Sequence, residues 1–410
     1  MRWLTTSAQR AGLLLFLVAA APSAYAQTAV PGPAAPTSEY YHQPAAAEAP
    51  VAWPQGAAEP IEEQELPQEG QPTTPAVEKS RKLSYTYEVA VGKPYSLETR
   101  YGRVQVNTWN RKEIRTDVDI ITRADTEDKA QQLQDMIEVQ VLDKDPATGG
   151  ISARSRFGLM PRACWSKQRL YEVNYTIWLP KNTPLKVCNT FGEVSVNSDL
   201  SGPTDLSVQY GVLRTGRLEG TQNALHVSNG RATVLYAHTA SLEASYSRLR
   251  LVTGQTIDLR NNYSDIDIGT VQDLTVHSKY GDVVLGTVHK LRGSSGYSKF
   301  SIDKLGTQLD MTVQYCPAFE VRTTGKNFRQ ITLKGGYSTI LLNFADGTSF
   351  NFDVNTDHGK LLVDKEMVKV ASKDSSGVSS DTQGQFGLVQ TKTPRNVNIR
   401  MRYGNVSFNK

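Results

Sequence analysis

A seventeen-residue repeat constrains the fold of this chain more than any other feature of its sequence. Residues 263–279 read YSDIDIGTVQDLTVHSK, and residues 280–296 follow at once with YGDVVLGTVHKLRGSSG. Each copy opens with Tyr and a small residue, and this opening recurs every seventeen residues from Tyr246 to Tyr297. A short fixed period is typical of a stacked repeat protein, in which each repeat folds against its neighbours.

The same pair of an aromatic and a small residue marks less regular repeats on either side. Such pairs occur at Phe191-Gly192, Tyr210-Gly211, Tyr246-Ser247, Tyr263-Ser264, Tyr280-Gly281, Tyr297-Ser298, Tyr337-Ser338, Phe386-Gly387 and Tyr403-Gly404. Variants of the pair at Asn229-Gly230, Tyr315-Cys316 and His358-Gly359 fill the gaps. We therefore predict that repeats extend over residues 191–410.

Within each repeat, apolar and polar residues alternate, which predicts strands rather than a helix. The third position after the Tyr holds Leu249, Ile266, Val283 and Phe300, and the fifth holds Leu251, Ile268, Leu285 and Ile302. Intervals of two put these side chains on one face of a strand and do not form a helical stripe. Two short strands per repeat, with Gly, Ser and Asn at the corners, predict an all-β fold. The predicted architecture is a parallel β-solenoid with coils of about 17 residues.

Residues 81–190 are less regular and predict a small β-rich cap with one short helix. The segment RYGRVQVNTW at 100–109 has the pattern of a first coil. Over residues 125–137, the side chains of Ala130, Leu133, Met136 and Ile137 share a helical face. Strands are predicted next, near 138–142 and 171–179. A cap of this kind shields the open edge of a solenoid from pairing with other chains.

The first 80 residues have a different composition. Two arginines precede an apolar run at 11–21 and the small-residue site Ala24-Tyr25-Ala26, which predicts a cleavable signal peptide at 1–26. Residues 27–80 are predicted to be a disordered tether, because 27–78 is rich in Pro and Ala and holds eight Glu without Asp, Lys or Arg. No later segment approaches about 20 consecutive apolar residues. We expect an exported chain without a membrane-spanning segment, in the periplasm, on the cell surface or secreted.

The charge of the remaining chain is basic. Residues 79–410 hold 43 Lys and Arg against 33 Asp and Glu, a net charge of +10. This excess is compatible with affinity for an anionic surface, with self-association of the acidic tether and the basic body, and with ordinary solvated charge. We expect no nucleic-acid partner, and the oligomeric state stays open.

Several segments resemble a known family. These are the Tyr-Gly-x-Val-x-Val-x-x-Trp opening at 101–109, the helical insert, the segment YTIWLPKNTPLKVCNTFGEVSV at 175–196 and the later strand repeats. Together they resemble the bacterial putative adhesin family of β-strand repeat proteins, which has no assigned function. The resemblance covers residues 81–410 and implies an exported β-solenoid. It supplies no functional residues, because the shared motifs are structural.

Enzyme motifs are not found in the sequence. It contains no Gly-x-Ser-x-Gly elbow, no phosphate-binding Gly-Lys-Ser/Thr loop and no His-Glu-x-x-His motif. One column of outward residues holds Arg248, Asp265, Asp282 and Lys299. Its two carboxylates, one coil apart, are compatible with glycoside cleavage, whereas an ion-pair ladder explains all four residues without chemistry. We expect a noncatalytic protein with no cofactor and no metal.

The candidate binding residues are the tyrosines that open the regular repeats: Tyr246, Tyr263, Tyr280 and Tyr297. Rings one coil apart would stack, and two interpretations stay open. The ladder pins the register of the repeats, or it is also a surface that binds carbohydrate.

Three cysteines are too few for a disulfide scaffold. Cys188 precedes a corner and Cys316 occupies a corner about 30 Å further along at roughly 4.8 Å per coil, which is beyond disulfide reach. Either Cys164 and Cys188 are bridged or all three thiols are free.

The predicted function is a structural or adhesive role at the bacterial cell envelope, with a surface glycan or an envelope protein as the partner. A polysaccharide-cleaving β-helix enzyme and an envelope sensor that binds a protein partner are the alternatives.

Overall fold

The computed structural model describes residues 77–90, 92–165, 170–387 and 395–410, which form an all-β protein with a mostly parallel sheet. The predicted signal peptide at 1–26 and the tether up to residue 76 lie outside the described residues. The first strand begins at Val77. Residues 77–80, which we assigned to the tether, are therefore part of the sheet.

The described residues of the N-terminal region, 77–90, 92–165 and 170–196, contain nine strands, one α-helix and a short 3-10 helix at Arg162–Cys164. The strands and the helix are β1 (Val77–Glu88), β2 (Tyr95–Arg100), β3 (Arg103–Trp109), β4 (Glu113–Ala124), α1 (Glu127–Asp135), β5 (Ile137–Leu142), β6 (Ile151–Phe157), β7 (Tyr171–Pro180), β8 (Leu185–Thr190) and β9 (Glu193–Val196).

The central region consists of strands that follow the repeats. They are β10 (Thr204–Gln209), β11 (Val212–Leu218), β12 (Asn223–Ser228), β13 (Arg231–Ser245), β14 (Arg248–Asn262), β15 (Asp265–Lys279), β16 (Val283–Gly296), β17 (Phe300–Gln314), β18 (Phe319–Thr324) and β19 (Gln330–Gly336).

In the C-terminal region, the described ranges 340–387 and 395–410 add seven strands and a 3-10 helix at Lys365–Met367. The strands are β20 (Ile340–Phe344), β21 (Phe350–Asp357), β22 (Leu361–Val363), β23 (Val368–Ser376), β24 (Ser379–Phe386), β25 (Asn396–Arg402) and β26 (Val406–Asn409).

Successive central repeats pair in parallel, and β13 to β16 pair without a shift in register. In β15, Ile266 lies opposite Leu249 of β14 and opposite Val283 of β16, so equivalent positions of the repeats are neighbours. The predicted inward positions are buried: Ile266 is 2% exposed and Ile268 is 1% exposed. One apolar core runs through the repeats because each repeat extends the buried column of the previous one.

The helix and the strands predicted in the N-terminal region are present. Thr126 is the N-cap of α1 and its side chain accepts a hydrogen bond from the Lys129 N–H. Ala130 and Leu133 are fully buried, whereas Ile137, which we placed on the helical face, is the first residue of β5.

The repeat formed by β2 and β3 comes first in the chain but is not at the end of the stack. Strand β2 pairs with β8 on one side and with β6 on the other, and β3 lies in the same way between β9 and β7. The later strands β6 and β7 therefore cover the first repeat. Antiparallel strands follow outside them, since β5 pairs with β6 and β4 pairs with β7.

The C-terminal end has a similar crossover. The last strands of the chain, β25 and β26, insert between two earlier repeats: β25 pairs with β19 and β21, and β26 pairs with β20 and β22. The antiparallel strand β24 then covers β21, and β23 covers β24. Edge-covering strands of this kind separate the parallel repeats from solvent at both ends.

One predicted repeat opening is wrong. Phe386, which we paired with Gly387 as a corner, ends the antiparallel strand β24 and is 1% exposed. Its ring stacks on that of Phe350 with centroids 4.8 Å apart, within an aromatic cluster at the end of the core. The sequence pair is the same as at a true corner, but the tertiary position differs.

Candidate functional site

The residue that opens each repeat adopts an unusual backbone conformation. Among the described residues, twelve that are not glycine have φ between 50° and 60°, in the left-handed region that bulky side chains rarely occupy. They are Tyr101, Phe191, Tyr210, Asn229, Tyr246, Tyr263, Tyr280, Tyr297, Tyr315, Tyr337, His358 and Tyr403. Each is followed by a small residue, so this conformation defines the corner of the repeat.

The small residue is required because consecutive corners pack on each other. A Cβ atom on Gly211 would lie 1.9 Å from the carbonyl oxygen of Gly192, so this position has no room for a side chain. Where Ser replaces Gly, its hydroxyl is part of the corner. The Ser264 Oγ donates to the Asn262 carbonyl at 3.0 Å and accepts from the Ser247 N–H at 2.9 Å.

Eight of the corner side chains form one continuous stack, which we call the aromatic ladder. Neighbouring ring centroids are 4.4 to 5.0 Å apart and neighbouring planes differ by 2° to 26°. In spatial order the members are Tyr246, Tyr263, Tyr280, Tyr297, Tyr315, Tyr337, Tyr403 and His358. The stacking predicted for the first four is present, and the structure adds the other four.

The spatial order of the ladder could not be read from the chain. Tyr403 lies between Tyr337 and His358, although His358 precedes it in sequence. This follows from the insertion of β25 next to β19. The aromatic-small pair was the sequence signal for all of these residues, but their contacts depend on which strands are neighbours.

A shorter stack lies at the other end. Tyr101 stacks on Phe191 at 5.3 Å and Phe191 stacks on Tyr210 at 5.0 Å. The ring of Tyr171 meets Tyr101 edge-on at 5.3 Å and ends this stack. Asn229 lies between the short stack and the aromatic ladder.

The stacking explains why Tyr is tolerated in this backbone conformation. A left-handed residue with a Cβ costs roughly 1–2 kcal/mol, and Gly or Asn would adopt the conformation more readily. Each stacked pair contributes about 0.5–1.5 kcal/mol beyond the area that it buries. An interior ring has two such neighbours, so stacking offsets the strain.

The ladder presents ring edges to solvent and covers ring faces. Tyr263 and Tyr297 remain 46% and 48% exposed although each lies between two rings. The pKa of Tyr263 is raised, mainly because the neighbouring rings reduce the hydration of its phenol. The nearby hydroxyls of Tyr280 and Tyr246 raise it further. The Tyr263 phenol therefore stays protonated at neutral pH and offers one donor and one acceptor.

The column of charged residues next to the ladder contains one ion pair among the described residues, between Arg248 and Asp265. Asp265 lies 3.5 Å from Arg248, and its Oδ1 accepts a hydrogen bond from the Asp282 N–H at 3.4 Å. Both carboxylates are exposed, on an outward sheet face. Arg248 thus engages one of the two carboxylates, whereas Asp282 and Lys299 have no ion pair within the described part of the chain. The ladder expected over all four residues is present only as this single pair.

The three cysteines are free thiols in separate environments. Cys164 is buried in a small apolar cluster with Ala130 and Leu133 of α1, whereas Cys188 lies half-buried on β8. Of the two alternatives expected from the sequence, the structure has the one without a Cys164–Cys188 bridge. Cys316 occupies a corner, as predicted, and its Sγ lies 3.5 Å from the carbonyl oxygens of Ser295 and Gln314.

Neither a metal-binding cluster nor a membrane-spanning helix is found among the described residues. Within them, no cluster of three or more His, Cys, Asp or Glu side chains has an arrangement suited to a metal ion. No helix in the same ranges is long and apolar enough to span a bilayer.

Comparison with known proteins gives a few distant likenesses. No protein-family model matches the chain, and no curated protein matches it. A putative cell adhesion protein from Clostridium sporogenes is 10% identical in sequence, with 81% of this chain and 99% of that chain covered and a TM-score of 0.18. Putative adhesins from Bacteroides fragilis and Parabacteroides distasonis are 12% and 11% identical, with TM-scores of 0.31 and 0.27. These two cover 64% and 80% of this chain, and 97% of each of their own chains.

All three structures have adhesin or cell-adhesion names, as does the family that the repeat motifs resemble. The expected resemblance to bacterial putative adhesins is therefore confirmed as a resemblance.

Proposed function

We propose that this protein is an exported, noncatalytic β-solenoid with an adhesive role at the bacterial cell envelope, where its aromatic ladder contacts a surface glycan. The observation behind the proposal is the continuous row of eight stacked corner side chains, whose edges face solvent. A signal peptide at 1–26 and a tether before the sheet would deliver the protein to that location.

The parallel pairing of β13 to β17 supports the solenoid architecture, because equivalent residues meet one repeat apart, with a single register shift in β16 between Val288 and Lys290. A stack of this kind is a rigid scaffold. Side chains at its corners keep a fixed spacing, so little conformational entropy is lost when they bind a partner.

The chemistry of the ladder suits a linear polymer that carries many hydroxyl groups. Seven of the eight members are tyrosines, and each phenol both donates and accepts a hydrogen bond. Ring centroids repeat every 4.4 to 5.0 Å, so the phenol edges form a row with a regular spacing. A row of individually weak contacts gives useful avidity when the ligand repeats as well.

The test uses the full chain on a glycan array, with Tyr263→Phe and Tyr280→Phe combined as the test variant. These changes keep the stack and remove two hydroxyls, so we expect an unchanged melting temperature and weaker glycan capture. Tyr236→Phe is the matched control, because Tyr236 lies on β13 outside the ladder, next to Arg217.

Three results would contradict the proposal. Unchanged capture by the double variant would remove the ladder from the binding surface. Release of new reducing ends from a bound polymer would favour the polysaccharide-cleaving alternative. Specific capture of one envelope protein without any glycan would favour the sensor.

A further inference from the structure

The row of corner rings is interrupted at Asn229. The backbone is continuous there, because the Tyr210 N–H donates to the Ser228 carbonyl at 2.9 Å and the Asn229 N–H donates to the Ser245 carbonyl at 3.0 Å. Asn229 has the same left-handed backbone as the tyrosines, with φ 52°. Only the ring is missing, so the interruption is a gap one repeat wide.

The gap leaves two ring faces without an aromatic neighbour. Among the described residues, Tyr210 stacks only on Phe191 and Tyr246 stacks only on Tyr263. Tyr246 is 60% exposed, compared with 46% for Tyr263, which has rings on both sides. The two faces border a slot of about 10 Å, or two strand spacings of roughly 4.8 Å. That width suits one ring inserted between them.

The side chain of Asn229 does not fill the slot. Its Nδ2 donates to the Ser228 Oγ at 3.0 Å, so the amide is held along its own strand. An open groove of about 810 Å³ runs along the Tyr246 side of the gap, lined by Gly211, Gly230, Arg231, Tyr246, Arg248 and Asp265 among others. The two glycines keep this part of the groove free of side chains.

The charges next to the gap are positive and incompletely paired. Arg231 and Arg248 lie directly opposite each other on β13 and β14, an arrangement that is destabilising for like charges. Arg231 has Val212 as its other neighbour, and in the described part of the chain it has no ion pair and no side-chain hydrogen bond. Arg248 is paired with Asp265, at 3.5 Å on the side away from Arg231. An anion beside Arg231 would relieve the repulsion between the arginines.

From these observations we infer that the gap at Asn229 is a binding site for one sugar ring that carries a carboxylate, within an acidic polysaccharide. The apolar C–H face of the sugar ring packs on the free face of Tyr246, and its carboxylate receives hydrogen bonds from Arg231. This inference rests on the proposed glycan-binding function and names the class of glycan. The net charge of +10 over residues 79–410 favours the same class of ligand.

The test measures binding of the full chain to polygalacturonate, a polymer of carboxylated sugars, and to dextran, which is neutral. Asn229→Tyr would supply the missing ring. We expect it to preserve or raise the melting temperature and to weaken polygalacturonate binding by about tenfold or more. Arg231→Gln should weaken polygalacturonate binding to a similar extent without affecting the fold, because the side chain is exposed.

Arg292→Gln is the matched control for charge, since Arg292 is an exposed arginine that pairs with Asp273 away from the gap. It should bind polygalacturonate like the parent. If Asn229→Tyr fails to fold, Arg231→Gln compared with Arg292→Gln decides the question.

Other outcomes separate this inference from the function on which it rests. Binding of both gap variants at parental strength overturns the acidic-sugar site, while the ladder variants can still show glycan adhesion. Binding of neutral glycans alone by the parent would likewise overturn the acidic-sugar site. Binding of an acidic, tyrosine-rich peptide by the parent but not by Asn229→Tyr, without any polygalacturonate binding, would overturn the sugar site and show that the gap accepts a protein side chain. If no glycan binds the parent at all, the proposed function fails and the inference fails with it.

Discussion

The inward and outward assignment of the repeat is tested most directly at two adjacent residues of β15. Ile266 is 2% exposed and lies between Leu249 and Val283 of the neighbouring repeats. Asp267 points to solvent, where it lies 3.5 Å from Arg250. The two side chains differ in environment although the same strand holds both.

Ile266→Asp removes a side chain whose truncation alone costs about 2–5 kcal/mol, and it adds a carboxylate without a partner in the core. We expect a loss of at least about 4 kcal/mol of unfolding free energy. Asp267→Asn removes an exposed ion pair, which contributes about 0–1 kcal/mol. The expected difference between the two variants is thus several kcal/mol.

Urea denaturation of both variants measures this difference, and hydrogen exchange shows where it acts. In a stacked repeat each unit contacts only its neighbours, so Ile266→Asp should increase exchange first in β14, β15 and β16. Exchange in α1 and β4 should change least. Equal destabilisation by the two substitutions, or loss of protection that begins in the N-terminal region, would refute the assignment.

Three further predictions concern other parts of the chain. Burial raises the pKa of Tyr175 from 10.0 to about 12. Its contribution to the free energy of unfolding is therefore complete below pH 10 and is lost as the pH rises to 12, by up to about 3 kcal/mol. Denaturation of the parent at a series of pH values should show this loss, and Tyr175→Phe should not show it. Alkylation of the native protein should label Cys188 first, and at alkaline pH, because burial raises the pKa of its thiol. Mass spectrometry should find the buried Cys164 and Cys316 unlabelled until denaturant is added. A crosslinked Cys188 would contradict this prediction. Deletion of residues 395–410 should unfold β21 to β24, because β25 joins β19 to β21. Hydrogen exchange should then show lost protection in β21 to β24 and unchanged protection in β13 to β17. Intact protection of β21 would show that this strand does not depend on β25.

Local features of the fold were accessible from the sequence because single residues encode them. Alternation of apolar and polar residues shows which side chains point inward, and it predicted Ile266 and Ile268 correctly. The aromatic-small pair located the corners, because the backbone conformation there requires a small residue next. The change to a helical spacing of apolar residues at 125–137 located α1, because this spacing is also a local property of the sequence.

The order of strands in space was decided by the tertiary structure alone. Strand edges expose the same backbone N–H and C=O groups in every repeat, so the local pattern does not specify which edges meet. The insertion of β25 between β19 and β21, and of β2 between β6 and β8, therefore could not be predicted. Phe386 shows the consequence, since a pair that marks corners elsewhere ends in the core.

For the aromatic ladder and the gap at Asn229, too, the sequence determined some features and the tertiary structure determined others. The sequence by itself determined a column of corner tyrosines and an Asn in one position of that column. Only the tertiary structure decided that Tyr403 lies between Tyr337 and His358, and that Asn229 leaves the face of Tyr246 open beside Arg231. The physical reason is that a residue's type and backbone preference are local properties, whereas a free ring face or an unpaired charge depends on which residues of neighbouring strands lie beside it.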